Sequence, residues 1–600
     1  MAANLDLDPI SRLIWESKYR AEGEHNIQDT WRRVAQAVAS AEADPAIWSE
    51  RFYRLLEDFQ FLPGGRILAG AGTGKQVTLF NCFAMGVIED SLDGIFQALK
   101  EGALTMQQGG GVGYDFSTLR PRGSRAKTVG GIASGPVSFM HIWDVTCATL
   151  LSTGARRGAM MATLRCDHPD IEEFIDAKRD PQALRNFNLS VEVTEAFLDA
   201  VRVGADWPLV FPKEKLANRV GEGEVLRDWP GYEHPVPCRV LKVVPARQLW
   251  HKIMRATYDV AEPGVLFIDR INRLNNLYYC ERLYTTNPCS ELPLPPYGAC
   301  DLGSFNLTAF VREPFSPSAC FDFAALTELV PLAVRFLDDV IEISRFPLPA
   351  QRQEAHAARR IGLGITGLAD ALIMLGLHYA SEEARAFASQ VMQSLCQGAY
   401  KASIDLAREK GVFPKFDREK YLAGPFVASL PEDIRKAISA HGLRNSHLLA
   451  IAPTGSISLL AGNVSSGLEP AFAWRYQRRL QLPDGSWALR EVEDAAFRLW
   501  QRQRPGQPLP PAFVTATELD PEAHLTMQAA LQVHVDNAIS KTVQVPEDYL
   551  FAQFENVYWR AYELGLKGCT TYRPNPLRGA VLLPKAPPET HCCEVIREGD

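Results

Sequence analysis

Hydrophobic positions recur every three or four residues near the start of the chain. Trp31, Val34, Ala35 and Val38 fall on one helical face, and Phe52, Leu55, Leu56 and Phe59 on another. This spacing predicts a helical segment over residues 1–60 or so, broken by Pro63-Gly64-Gly65. Asn186-Phe187-Asn188-Leu189-Ser190-Val191-Glu192-Val193 alternates with period two and predicts a strand. An apolar helix is expected after Gly135-Pro136, reaching about Leu151. Leu326, Leu329, Val330, Ala333, Leu337, Val340 and Ile341 mark a long amphipathic core helix. Pro483-Asp484-Gly485 predicts a hairpin turn, and residues 504–511 a proline-rich surface connection.

Several short motifs suggest chemistry and then fail their own tests. Gly72-Thr73-Gly74-Lys75 lacks the first glycine and the final hydroxyl of a phosphate-binding loop. Residues 107–113 are glycine-rich, but Tyr114 stands where a dinucleotide fingerprint needs glycine. Cys166-Asp167-His168-Pro169-Asp170 crowds possible metal ligands too closely to converge, so a turn and helix start is expected. Ala452-Pro453-Thr454-Gly455-Ser456-Ile457-Ser458 offers small hydroxyls and backbone N–H groups at a helix start, which suits either a cap or a phosphate cradle. The glycines of residues 360–370 suit close backbone packing.

Composition narrows the field. Six hundred residues with 46% hydrophobic and 22% charged content are ordinary for a globular chain of several domains or one large decorated barrel. A net charge of −8 gives no electrostatic case for binding polymeric nucleic acid. No secretory signal opens the sequence, and no apolar run is long enough to span a bilayer. The twelve cysteines include no Cys-x-x-Cys pair, so a zinc ribbon is unsupported and a reduced, cytoplasmic setting is expected.

The stretch with most chemical content is Asn287-Pro288-Cys289-Ser290-Glu291, followed by Tyr297-Gly298-Ala299-Cys300-Asp301-Leu302-Gly303-Ser304-Phe305-Asn306-Leu307. Pro288 biases its neighbour toward extended backbone, and on an extended segment Cys289 and Glu291 share a face. A thiol, a candidate base and an amide then point into one site. On the residues alone, a buried structural thiol with Glu291 as a surface charge is the more ordinary reading.

This stretch resembles the thiyl-radical loop of ribonucleotide reductases, in particular the adenosylcobalamin-dependent class II enzymes. The resemblance runs through most of the chain, with one local departure: Ser290 stands where those enzymes usually have glycine. It implies a ten-stranded α/β barrel over residues 63–573 enclosing a finger loop. A helical segment (1–62, without an ATP-cone) would precede the barrel, and a flexible tail (574–600) would follow it. The implied reaction converts ribonucleotides, at the diphosphate level, to 2′-deoxyribonucleotides. Cys289 would carry the thiyl radical, Glu291 act as base and Asn287 hold the region by hydrogen bonding. Cys82 and Cys300 would supply the reducing equivalents and end as a disulfide. The cradle at Pro453, Thr454, Gly455, Ser456 and Ile457 would take the substrate diphosphate.

The same resemblance assigns Asp90 and Arg120 to a deoxynucleotide or ATP effector site, on a family contact that implies a homodimer. Sections near 130–139 and at Thr153-Gly154-Ala155-Arg156-Arg157-Gly158-Ala159 would carry effector identity to the substrate base. Class I large subunits have two adjacent relay tyrosines where this chain has Thr570-Thr571, so the radical is expected to start from adenosylcobalamin. The remaining readings are a class I large subunit needing a metal-containing partner, or a nucleotide-sensing homologue without catalysis. A class III enzyme would lack Glu291 and carry a glycyl motif that is not found here. Cys592 and Cys593 in the tail would shuttle electrons from a thioredoxin-type reductant, although family tails separate the two cysteines and these are adjacent.

Overall fold

The computed structural model describes residues 7–125, 131–150, 158–216, 223–481, 487–574 and 582–584. Helices form near the N-terminus where capping and apolar spacing coincide. Ile27–Ala39 opens with a capping box between Asn26 and Asp29. Pro45–Leu56 opens with proline in its first turn and the Asp44 carboxylate accepting from Ile47 N. The faces predicted from spacing, including Trp31, Val38, Phe52 and Leu55, are buried. Pro63-Gly64-Gly65 does more than interrupt a helix. Phe61–Pro63 (β1) is a strand, and Gly64 N donates to Leu302 O at 2.8 Å before helix resumes at Gly65–Gly70.

The central sheet has ten strands. Cys82–Ala84 (β2), Gly111–Asp115 (β3), Met160–Arg165 (β4), Phe187–Val193 (β5) and Gly264–Phe267 (β6) run parallel in that order. Ala299–Asn306 (β7) lies antiparallel to both β1 and β2 and parallel to Ile361–Thr366 (β8). On the other side, Gly568–Tyr572 (β10) is antiparallel to β6 and parallel to Thr542–Gln544 (β9). Parallel bridges Leu363↔Leu449 and Ile451↔Ile539 connect β8 to the segment that becomes β9. Two parallel halves therefore meet at two antiparallel seams, β2/β7 and β6/β10. This is the α/β barrel that the family resemblance implies. Every residue of β4 and β8 is buried, as expected where helices cover a parallel sheet.

The strand expected at 186–193 is β5, and the helix expected at 326–341 is Phe323–Ile343. The apolar helix after Gly135 is Pro136–Thr149. The cysteine–histidine cluster is a turn leading into helix Ile171–Asp176, with Asp167 bonded to Arg165 and Arg227. Arg475–Gln481 and Trp487–Glu493 pair antiparallel on either side of the predicted Pro483-Asp484-Gly485 turn, which lies outside the described residues. So do Gly130, residues 153–157, Cys592 and Cys593. No helix among the described residues is long and apolar enough to cross a membrane.

Candidate active site

Thr285–Thr286 and Pro293–Leu294 pair antiparallel as the stem of a hairpin whose tip holds Cys289. The hairpin can lie against β3 because Gly113 has no side chain: a Cβ there would sit 1.8 Å from the Thr286 carbonyl oxygen. Opposite, Ala538 N donates to Glu291 O at 2.9 Å, and Asn188 Nδ2 on β5 donates to Pro288 O at 2.5 Å. Backbone and side-chain bonds thus hold the tip from two sides of the barrel.

The tip is a turn, which corrects the extended conformation expected from Pro288. Ser290 N donates to Asn287 O at 3.1 Å, and Ser290 has φ 68°. That left-handed backbone is why glycine suits the position and why serine is a strained replacement. The simple argument that residues two apart share a face does not hold here. Convergence comes instead from the hairpin folding back, with Asn287 N donating to Leu292 O at 3.2 Å and Asn287 Oδ1 accepting from Leu292 N at 3.0 Å.

Cys82 on β2 and Cys300 on β7 are directly opposite in register at the first seam. Opposed residues of antiparallel strands put their side chains on one face with Cα atoms about 4.5–5.5 Å apart, inside the range a disulfide needs. Asn287 Nδ2 donates to Cys82 Sγ at 3.1 Å, and Cys82 Sγ lies 3.8 Å from Glu291 Oε1. Asn287, Glu291, Cys82 and Cys300 are all buried, whereas Cys289 is partly exposed. Burial first, then the neighbouring Glu291 and Cys289, pushes the Cys82 thiol well above its ordinary range. Burial and the adjoining Asp301 do the same for Cys300. Both thiols are therefore protonated at neutral pH, the state from which they can give hydrogen.

Cys289 opens into a cavity of about 160 Å³ that reaches the second seam. Ser190, Gly264, Gln532 and Thr570 line it. A Cβ on Gly264 would come 3.1 Å from Thr570 Oγ1 and 3.2 Å from Ser190 Oγ, so glycine keeps this end open. Gln532 has a buried Oε1 acceptor without a partner among the described residues. Hydroxyls, an unmatched acceptor and a glycine-cleared wall fit the nucleoside end of an organic cofactor. Of the two threonines singled out in the sequence, only Thr570 lines this cavity, while Thr571 is hydrogen-bonded to Tyr558 Oη at 3.1 Å.

Pro453 lines the same cavity and leads into Gly455–Leu460. Thr454 has φ 51°, and its side chain does not cap the helix. Its Oγ1 bonds Thr366 Oγ1 and accepts from Gly467 N, both at 2.9 Å. A helix cap is thus not what Thr454 provides. Lys18, from the N-terminal helical segment, donates to Ser456 Oγ at 2.8 Å. That contact joins residues 438 positions apart, so no local pattern signals it.

Asp90 and Arg120 are brought together away from the hairpin. Arg120 Nε donates to Asp90 Oδ2 at 2.9 Å, and Arg120 N to Oδ1 at 3.2 Å. Burial raises the Asp90 carboxyl, with the Arg120 contacts opposing that shift.

Comparison with known proteins agrees with this geometry. Residues 80–572 match the family described as ribonucleotide reductase, barrel domain, and residues 5–76 match its all-alpha domain. The chain is 39% identical to a vitamin B12-dependent ribonucleoside-diphosphate reductase of Mycobacterium tuberculosis, covering 92% of this chain and 77% of that protein. A protein of the same description from Thermoplasma acidophilum is 35% identical over 91% of this chain and 68% of its own length. A ribonucleoside-diphosphate reductase subunit alpha of Chlamydia muridarum is 27% identical over 90% of this chain and 56% of that protein.

Proposed function

The chain belongs to the ribonucleotide reductases, and we infer from its relatives and its hairpin how it performs that reaction. It reduces ribonucleoside diphosphates to 2′-deoxyribonucleotides and depends on cobalamin. The observation that carries the mechanism is the gathering of Cys82, Cys300, Asn287 and Glu291 around the tip that bears Cys289.

Adenosylcobalamin, when bound, would supply the initiating radical. Ser190, Gly264, Gln532 and Thr570 would hold its nucleoside end. Cys289, as a thiyl radical, takes the 3′ hydrogen atom of the substrate. Glu291 accepts the 3′-OH proton, and Asn287 keeps its amide on Cys82. A radical at C3′ weakens the adjoining C2′–O bond, so the 2′-OH leaves as water with a proton from the Cys82–Cys300 pair. These two thiols also give a hydrogen to C2′ and close to a disulfide, Glu291 returns its proton to the 3′ oxygen, and Cys289 returns the hydrogen to C3′. One ribonucleotide and two thiols become one deoxyribonucleotide, one disulfide and one water. The diphosphate would rest on Pro453, Thr454, Gly455, Ser456 and Ile457.

Regulation and partners follow the same reading. Asp90 and Arg120 would form a specificity site for deoxynucleotides or ATP. Leu92, Phe96 and Leu104 stay exposed along the helix that starts beside Asp90, which supports a homodimer through that face. Cys592 and Cys593 would pass electrons from a thioredoxin-type protein in a cytoplasmic setting. The direct test is Cys289→Ser: it should bind CDP normally and form no dCDP under any condition. Residual product formation by this variant would show that the radical is carried elsewhere.

A further inference from the structure

We propose that Gln528 and Gln532 read the adenine base at the nucleoside end of the cofactor, so that one helix of the barrel selects adenosylcobalamin over other cobalamins. The inference rests on the reading that the cavity beside Cys289 takes that nucleoside. Both glutamines belong to helix Pro521–Gln532 and stand four residues apart, so their side chains share a face. Both line the cavity together with Cys289 and Thr570. Gln528 is 4% exposed and Gln532 7%. Amides placed so deeply cost free energy unless they are bonded.

The chain itself orients the Gln532 amide. Its Nε2 donates to Val535 O at 3.0 Å, and a carbonyl only accepts, so the two ends of the amide are not interchangeable. Oε1 is what remains, buried and without a partner among the described residues. A ligand group that meets it has to be a donor. The Gln528 amide bonds to no described residue, so it keeps a donor and an acceptor for the cavity. Adenine carries its exocyclic amino group beside the N7 acceptor, the pair that a glutamine amide matches with two hydrogen bonds. The second amino hydrogen is then left for Gln532 Oε1. The segment that follows the helix is fixed to the site: Asp536 accepts from Leu448 N at 2.9 Å and Leu449 N at 2.8 Å, and Ala538 N donates to Glu291 O.

Equilibrium binding to the full chain, by calorimetry, tests this with adenosylcobalamin, its inosine analogue and methylcobalamin. Hypoxanthine has an oxygen where adenine has the amino group, so it would meet Gln532 Oε1 acceptor to acceptor. One unmatched buried group corresponds to roughly 10–100-fold in affinity. The wild type should favour adenosylcobalamin over the inosine analogue by about that factor. Gln532→Met should close most of the gap and Gln528→Met part of it, with methylcobalamin bound as in the wild type. If the wild type prefers adenosylcobalamin to methylcobalamin but ignores the base, or if either substitution leaves the gap intact, the glutamines do not read adenine while the cavity reading stands. If the wild type binds all three alike, the cavity reading fails and the proposal with it. An equal loss toward all three cobalamins assigns the glutamines a structural role and overturns the proposal.

Discussion

Cys82 and Cys300 lie opposite one another on antiparallel strands, and the Asn287 amide from the hairpin rests on the Cys82 sulfur at 3.1 Å. The two thiols are thus fixed by the barrel wall, while the third, Cys289, is carried on a separate loop. Reaction should leave a mark on the wall pair alone. After a single turnover with no dithiol present, in a chain whose Cys592 and Cys593 are changed to serine so that the tail cannot re-reduce the pair, peptide mapping should find a Cys82–Cys300 disulfide and a reduced Cys289. A disulfide involving Cys289 would contradict this division of labour.

The backbone at Ser290 gives a second expectation. Serine at φ 68° costs about 1 kcal/mol or more relative to an unstrained residue. Ser290→Gly removes that strain but adds chain entropy to the unfolded state, so stability should stay within about 1 kcal/mol of wild type with activity kept. Ser290→Val, β-branched in left-handed backbone, should lower the melting temperature and most of the activity. Full activity in the valine variant would mean the turn is not needed.

Gly113 makes no chemical contribution, yet the hairpin depends on it. A methyl group there would meet the Thr286 carbonyl at 1.8 Å, forcing the tip away from β3. Displacement of a reacting group by about 1 Å costs on the order of 10²-fold in rate. Gly113→Ala should therefore lose about that factor in steady-state CDP reduction. Gly123→Ala is the control for a strained glycine with open space around it, and its rate should be near wild type. Equal rates in the two variants would count against the packing argument.

Much of this was legible from residues alone, and the reasons differ by element. The helices at 27–56 and 323–343 were readable because one apolar face meets one core. β5 was readable because its alternation is regular, whereas the very short β2 and β9 leave no period to detect. The site was legible as a family pattern, but its conformation was not. Pro288 suggested extended backbone, and the turn at Ser290 is imposed by Asn287 bonding across to Leu292. Lys18, Asn188 and Gln532 carried no local signal, since each acts on residues that only the closed arrangement of strands brings near.

Asp370 and Asp494 set a pH dependence of stability beside the cradle. Both are buried, and burial raises both, Asp494 to about 6, with the negative charge of Asp494 adding to the shift of Asp370. A carboxyl raised on folding holds its proton where the unfolded chain has lost it. The resulting stability is complete below the ordinary aspartate range, near pH 4, and is lost as pH rises through about 6. Asp494→Asn keeps an N-cap at Phe497 and removes the ionisation. It should raise stability at pH 8 by on the order of 1–3 kcal/mol and little at pH 4.5. Urea unfolding at the two pH values checks this, and an equal effect at both would show that the pair does not titrate in this window.

Thr570 and Cys289 line one cavity, with no tyrosine at position 570 to relay a radical from outside. The decisive measurement is dCDP formation by the purified chain with CDP, a small dithiol and adenosylcobalamin, and no second protein. Turnover under those conditions, abolished when adenosylcobalamin is left out, is the predicted result. Product that appears only after a diiron or dimanganese partner is added would contradict it.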